Sequence, residues 1–398
     1  VEADQIRKLL ARQHIETPSW AYANSGTRFK VFNQQGIPRD AYEKIADAAQ
    51  VHRYTGVAPT VAIHIPWDTV DDYADLARFA RDEGVAIGAV NPNTFQEDDY
   101  RLGSVCNPDP KIRRKAIDHL IECVHIGAET GSKQLSLWFA DGTNYPGQDS
   151  IRDRQDRMAD ALAQTYQVMT DVAPEMTMLV EYKFFEPAFY TMDLPDWGTS
   201  LLHCLHLGER AKVLVDTGHH APGTNIEMIV ALLLREGRLG GFHFNSRFYA
   251  DDDLIVGAAD PFALFRIMLE IVQAGAVVPS AEGDPAADNS VAFMLDQGHN
   301  LEPKIPGEIR SVMNVQEATA KALSVDLDAL GTARQAGDVL GANGIVMDAY
   351  NTDVRPLLEQ VRTDMGLAPD PLAAYAASGY QQKIIEERVG GTAAGWGA

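Results

Sequence analysis

The sequence predicts a (β/α)8 TIM barrel with an N-terminal segment and a C-terminal helical extension. Short apolar runs alternate with helical patterns from residue 58 to 325, and continuous apolar runs are what parallel strands buried on both faces require. Carboxylates and imidazoles fall at or just past the ends of several runs, as expected where many strand ends open on one mouth. An open doubly wound sheet is the alternative, but it gathers its ligands near a single switch point.

Residues 1–57 read as a helical segment, with two amphipathic stretches flanking the polar ANSGTRFKVFNQQGIPRD. The barrel is expected over 58–325. Its strands are predicted at 60–67, 85–91, 134–140, 176–183, 211–218, 240–245 and 291–296, with RFKVF at 28–32 as the candidate eighth. The helical pattern at 70–84 ends in a Gly stop, that at 110–131 places Ile112, Ala116, Leu120 and Val124 on one face, and that at 260–275 opens with an Asp-Pro start signal. Residues 326–398 read as further helices ending in a disordered GGTAAGWGA tail.

The chain has 398 residues, 34 basic against 56 acidic, for a formal charge of −22. That balance argues against nucleic acid and anionic membranes as partners, since both select clustered Lys and Arg. No apolar stretch has the length of a membrane span, and the N-terminal stretch lacks the apolar centre of a signal peptide. Three cysteines without paired spacing fit a reducing compartment, so a cytoplasmic protein is expected.

The chemistry lies at the run ends. Glu181 and Lys183 alternate along one strand and face the same side. Asp216 and His219 flank a glycine turn in DTGHH, His243 sits in GGFHFN, Asp251 and Asp253 alternate in ADDDL, and Asp296 ends AFMLD. Taken singly, DTGH could be a surface turn, the aspartate run a solvated patch and Asp296 a helix cap. Together they place five carboxylates near one point, which cannot all ionise without compensating cations. Oxygen-rich donors with two imidazoles suit Mn2+ or Mg2+, with Co2+ or Zn2+ as alternatives. His64 and Trp67 in HIPWD and Trp138 in LWFADG add an aromatic wall suited to the apolar face of a sugar, or to plain core packing.

The segments SGTRF (25–29), HIPWD (64–68), LWFADGTNYPGQDS (137–150), EYKFFEPAFY (181–190), DTGHHAPGTNIE (216–227), FHFNSRFYADDDL (242–254) and MLDQGHN (294–300) resemble the L-rhamnose isomerases of the broad-specificity bacterial type. The resemblance covers residues 15 to 325. It implies a homotetrameric aldose–ketose isomerase with two Mn2+ per subunit, converting L-rhamnose to L-rhamnulose and acting on other aldoses, as between D-allose and D-psicose. A related isomerase or 3-epimerase with a different preferred sugar is the alternative. Carried over by motif, Glu181, Asp216, His243 and Asp296 hold a structural metal. His219, Asp251 and Asp253, with Asp216 bridging, hold the catalytic one. Lys183, His219 and Asp251 are the expected catalytic residues. His64, Trp67 and Trp138 line the pocket, and Phe29 closes it from a neighbouring subunit. Hydrogen transfer as hydride, or as a proton through an enediol, both remain open.

Overall fold

The computed structural model describes residues 3–25, 31–186, 188–248, 251–277, 291–298 and 301–390. Eight parallel strands close a barrel: β1 (Ile15–Pro18), β2 (Thr60–Ile65), β3 (Ala86–Pro92), β4 (Gln134–Leu137), β5 (Thr177–Glu181), β6 (Ala211–Asp216), β7 (Leu239–Phe244) and β8 (Ala292–Leu295). Neighbours pair in chain order, and β8 closes on β1 through Ile15↔Phe293 and Glu16↔Met294. A helix follows each strand, from Ala41–Thr55 after β1 to Lys304–Leu323 after β8. The predicted barrel is therefore present, flanked by the helix Ala3–Ala11 and by further helices from Leu327 to Glu387.

The eighth strand is corrected. Val31 and Phe32 form no strand, residues 28–30 lie outside the described residues, and Ile15–Pro18 takes the place. The barrel thus begins ahead of residue 58, inside the stretch read as helical. The four residues IETP carry a glutamate, end in proline and have no apolar run of their own. The tail at 391–398 lies outside the described residues.

Two apolar layers follow from strand alternation. Ala62, Ala89, Leu179, Leu214 and Met294 pack with Trp20 inside the barrel, while residues of opposite parity, such as Ile63, Val180, Val215 and Phe293, join the layer under the helices. Two residues along from the interior set come His64, Asn91, Glu181, Asp216 and Asp296, so strand pleating aims these at the mouth. The acid surplus is partly structural. Asp40, Asp72, Asp109, Asp196 and Asp260 each accept a first-turn N–H at a barrel-helix start, a cap worth about 1 kcal/mol.

Glu16 faces the barrel interior, accepting from the Ala89 N–H at 3.0 Å and the Thr60 hydroxyl at 2.8 Å. Burial raises its carboxyl above the usual range. Gly88 makes the room, because a Cβ there would lie 1.5 Å from Glu16 Oε2. Gly88→Ala is expected to push the carboxyl off both donors and cost about 1–3 kcal/mol. Urea unfolding checks this, and an unchanged midpoint would show that Glu16 relaxes freely.

The extension is tied back to the barrel. Arg388 donates to both oxygens of Asp47, at 2.8 and 3.0 Å, and to the Gly36 carbonyl at 3.3 Å. The last described helix is thereby latched to the helix after β1.

Candidate metal centre at the barrel mouth

Register puts the donors together. Asp216 at the end of β6 pairs with His243 on β7, which pairs on its other side with Met294, two residues before Asp296. Glu181 closes β5 beside β6. Glu181, Asp216, His243 and Asp296 each offer a ligand atom, and these atoms all lie within 4.8 Å of one another, all buried. His243 Nδ1 is 3.2 Å from Glu181 Oε2 and 3.6 Å from Asp296 Oδ2.

His219 joins from the turn after β6. Its Nδ1 is 3.0 Å from Glu181 Oε1 and its Nε2 is 3.0 Å from Asp251 Oδ1 and 3.9 Å from Asp216 Oδ2. The Asp251 N–H donates to the Gly218 carbonyl at 2.8 Å, stitching the two loops together. Arg247, Asp251 and Asp253 adopt left-handed φ of 67°, 65° and 45°, a conformation that costs non-glycine residues energy and concentrates at functional loops. Asp253 is buried beside this set, and Lys183 Nζ lies 2.7 Å from Asp251 Oδ2.

Burial and mutual repulsion set the electrostatics. Burial alone would push Glu181 up, but the His243 and His219 imidazoles outweigh it and hold the carboxyl at about 2. Asp216 is pushed to about 7 by burial and by the Glu181 and Asp296 carboxylates, against the opposing pull of His219 and His243. Burial and the neighbouring carboxylates raise Asp253 well above the usual range. Burial disfavours charge on His243, yet Glu181 and Asp296 raise it to about 9; burial opposes charge on His219 too, but Asp216, Asp251 and Glu181 raise it well above the usual imidazole range. A metal-ligating imidazole must be neutral, so these two carry the positive charge that a cation would supply.

The residues fit a divalent cation. Asp216 Oδ1 accepts from the Gly218 N–H at 2.6 Å and from Asn245 Nδ2 at 2.9 Å. Its Oδ2, like Asp253 Oδ1, is buried with no hydrogen-bond partner among the described residues, which is costly unless something else binds it. Asp296 Oδ1 is oriented by the Trp20 indole N–H at 2.9 Å.

A second gathering, Cys106, Asp141 and Asp193, is also buried and compact. Its charges are already answered. Arg154 Nη2 lies 2.8 Å from Asp193, and Asp141 accepts from the backbone and hydroxyl of Ser104 and from the Cys106 N–H. A divalent ion there would sit against a guanidinium, so this network reads as structural.

An aromatic arc borders the mouth. His64 stacks on Trp67 at 4.0 Å between ring centroids, Phe95 meets Trp138 at 4.8 Å, and Trp138 lies 6.5 Å from the His219 ring. Burial, with Lys44 nearby, holds His64 well below its usual value, so the ring is neutral. Its backbone N–H donates to Asp68, which also accepts from Lys44 and Ser19. Phe29 lies outside the described residues. Trp20, Phe95 and Glu186 stand at the site without having been singled out from sequence. Trp20 follows β1 directly, Phe95 occupies the loop after β3, and Glu186 lies three residues beyond Lys183.

No family model matches the chain. A probable sugar isomerase of Mesorhizobium japonicum is 41% identical over 98% of this chain and 89% of its own length. Another from Rhizobium meliloti is 40% identical over the same shares. Among solved structures, an L-ribulose 3-epimerase superposes with a TM-score of 0.56, covering 79% of this chain and 98% of its own at 14% identity, a likeness of fold alone. The expectation of an L-rhamnose isomerase is corrected by these findings: the curated relatives' names specify no sugar, and the matched barrel belongs to a 3-epimerase. Similar at 40% identity or more over nearly its whole length, the chain belongs to the family of these probable sugar isomerases.

Proposed function

We propose that the protein is a divalent-metal-dependent sugar isomerase acting on free, unphosphorylated aldoses or ketoses. The observation that carries the reading is the convergence of four buried donors from β5 to β8 at the mouth, with Asp216 Oδ2 unpartnered among the described residues. The designation of the relatives as sugar isomerases agrees with it.

Glu181, Asp216, His243 and Asp296 would hold one cation, and His219, Asp251 and Asp253 a second, with Asp216 shared. Mn2+ suits this set of carboxylates and imidazoles. Bound there, such ions supply Lewis acidity and a template for adjacent sugar oxygens. The remaining work falls to the chain. Lys183, an ammonium held by Asp251 and Glu186, has a third N–H to donate to the carbonyl oxygen of an open-chain sugar. Neutral His64 offers a hydrogen bond to a hydroxyl, and Trp67, Phe95 and Trp138 offer ring faces to C–H groups while excluding water. Moving a hydrogen at a carbon next to the carbonyl then yields an isomeric sugar, by aldose–ketose conversion or by epimerisation.

The substrate's charge follows from the lining. Glu181, Glu186, Asp216, Asp251, Asp253 and Asp296 face the mouth, and its lysine is already engaged by two carboxylates. Two divalent cations and this lysine would together offset five of the six carboxylate charges, so the mouth presents no net positive charge to a phosphate dianion. Incubation of chelator-stripped protein with a panel of free sugars and their phosphates, with and without Mn2+, tests the reading by NMR of the products. Turnover of free sugars only with metal is expected, and the product separates aldose–ketose conversion from epimerisation. Full turnover after exhaustive chelation, or preference for a sugar phosphate, would contradict it.

A further inference from the structure

Among the described residues Glu186 is not one of the donors gathered with Glu181, Asp216, His243 and Asp296, yet its Oε2 lies 2.6 Å from Lys183 Nζ, beside Asp251 Oδ2 at 2.7 Å. An ammonium has three N–H donors. Two are engaged by these carboxylates, and the Trp138 ring, 5.1 Å from Nζ, walls one side. The direction left for the third is thereby restricted.

The backbone of the glutamate is tied to the returning chain. Its N–H donates to the Phe189 carbonyl at 3.2 Å and its carbonyl accepts the Phe189 N–H at 2.8 Å. Beyond the turn, Thr191–Met192 pairs antiparallel with Gly142–Thr143. Asn144 bonds the Ala188 carbonyl and the Tyr190 N–H, each at 3.1 Å. At the other end the Lys183 N–H donates to Leu194 at 3.0 Å. Both partners therefore sit on backbone fixed at several points.

Asp251 cannot give Lys183 the same undivided hold. Its other oxygen lies 3.0 Å from His219 Nε2, and in the proposed function it also serves a cation. We propose that Glu186 is a positioning residue for Lys183, holding the ammonium so that its remaining N–H meets the substrate carbonyl oxygen. The substrate half of this assignment rests on the sugar-isomerase reading; the hold on Lys183 does not.

The full chain bearing Glu186→Gln or Glu186→Asp tests it with three readouts. These are kcat and KM on the sugar the parent protein turns over, Mn2+ affinity by calorimetry, and acylation of Lys183 by an amine-reactive ester, followed by mass spectrometry. Glu186→Gln is expected to lower kcat about tenfold, the scale of weakening one charge-assisted hydrogen bond, with KM and Mn2+ affinity near the parent values. Lys183 should acylate faster, and Glu186→Asp, which keeps the charge, should restore part of kcat. If the parent protein turns over no sugar but Lys183 still acylates faster in Glu186→Gln, the hold stands and the functional reading falls. Unchanged acylation overturns the positioning role, whichever way turnover goes.

Discussion

Glu181→Gln is expected to lower metal-dependent turnover by about 10²- to 10³-fold, the range seen when one preorganised electrostatic group is lost. Glu181 is the carboxylate shared between His219 and His243, at 3.0 and 3.2 Å. The amide keeps the shape but removes the charge both imidazoles answer. In the metal-free protein the same change should cost about 3 kcal/mol, because a buried cation deprived of its anion keeps its desolvation penalty. Urea unfolding in the presence of a chelator reads the second effect, and steady-state kinetics with Mn2+ the first. Parent-level kcat/KM with an unmoved unfolding midpoint would remove Glu181 from the centre.

Lys183→Met carries the next largest expectation: kcat falls by about 10²-fold while Mn2+ binding persists. The side chain is buried between Glu186 and Asp251, which raise its basicity against the opposing effect of burial, so it is an ammonium throughout the neutral range. A purely charge-balancing lysine would show its loss mainly in stability, with folded molecules turning over normally. A lysine that donates to the carbonyl oxygen would show it in kcat. Near-normal kcat in folded, metal-loaded Lys183→Met would assign the residue to charge balance alone.

Legibility followed the physics of each segment. Seven strands were readable because a strand buried on both faces is a continuous apolar run, as in AKVLVD and AFML. β1 was not, because Glu16 replaces an apolar residue inside the barrel and finds its partners at Thr60 and Ala89, far along the chain. The donors Glu181, Asp216, His243 and Asp296 were readable because each breaks an apolar pattern at its end, where alternation dictates the mouth. Trp20 lies in a single 3-10 turn after β1 and Phe95 in the long connection between β3 and the helix at Pro110, neither with a periodicity to betray its direction, and Glu186 reaches Lys183 only because the chain turns back at Phe189. Sugar identity was the part misjudged. Shared ligand motifs report the chemistry common to these barrels, whereas the preferred sugar depends on loops and rim contacts that the motifs do not encode.

Anomalous diffraction from crystals soaked in Mn2+ would locate the cations at the barrel mouth. A strong peak is expected among Glu181, Asp216, His243 and Asp296, with a second beside His219, Asp251 and Asp253. No peak at the barrel mouth, or one at Cys106, Asp141 and Asp193 instead, would contradict that placement.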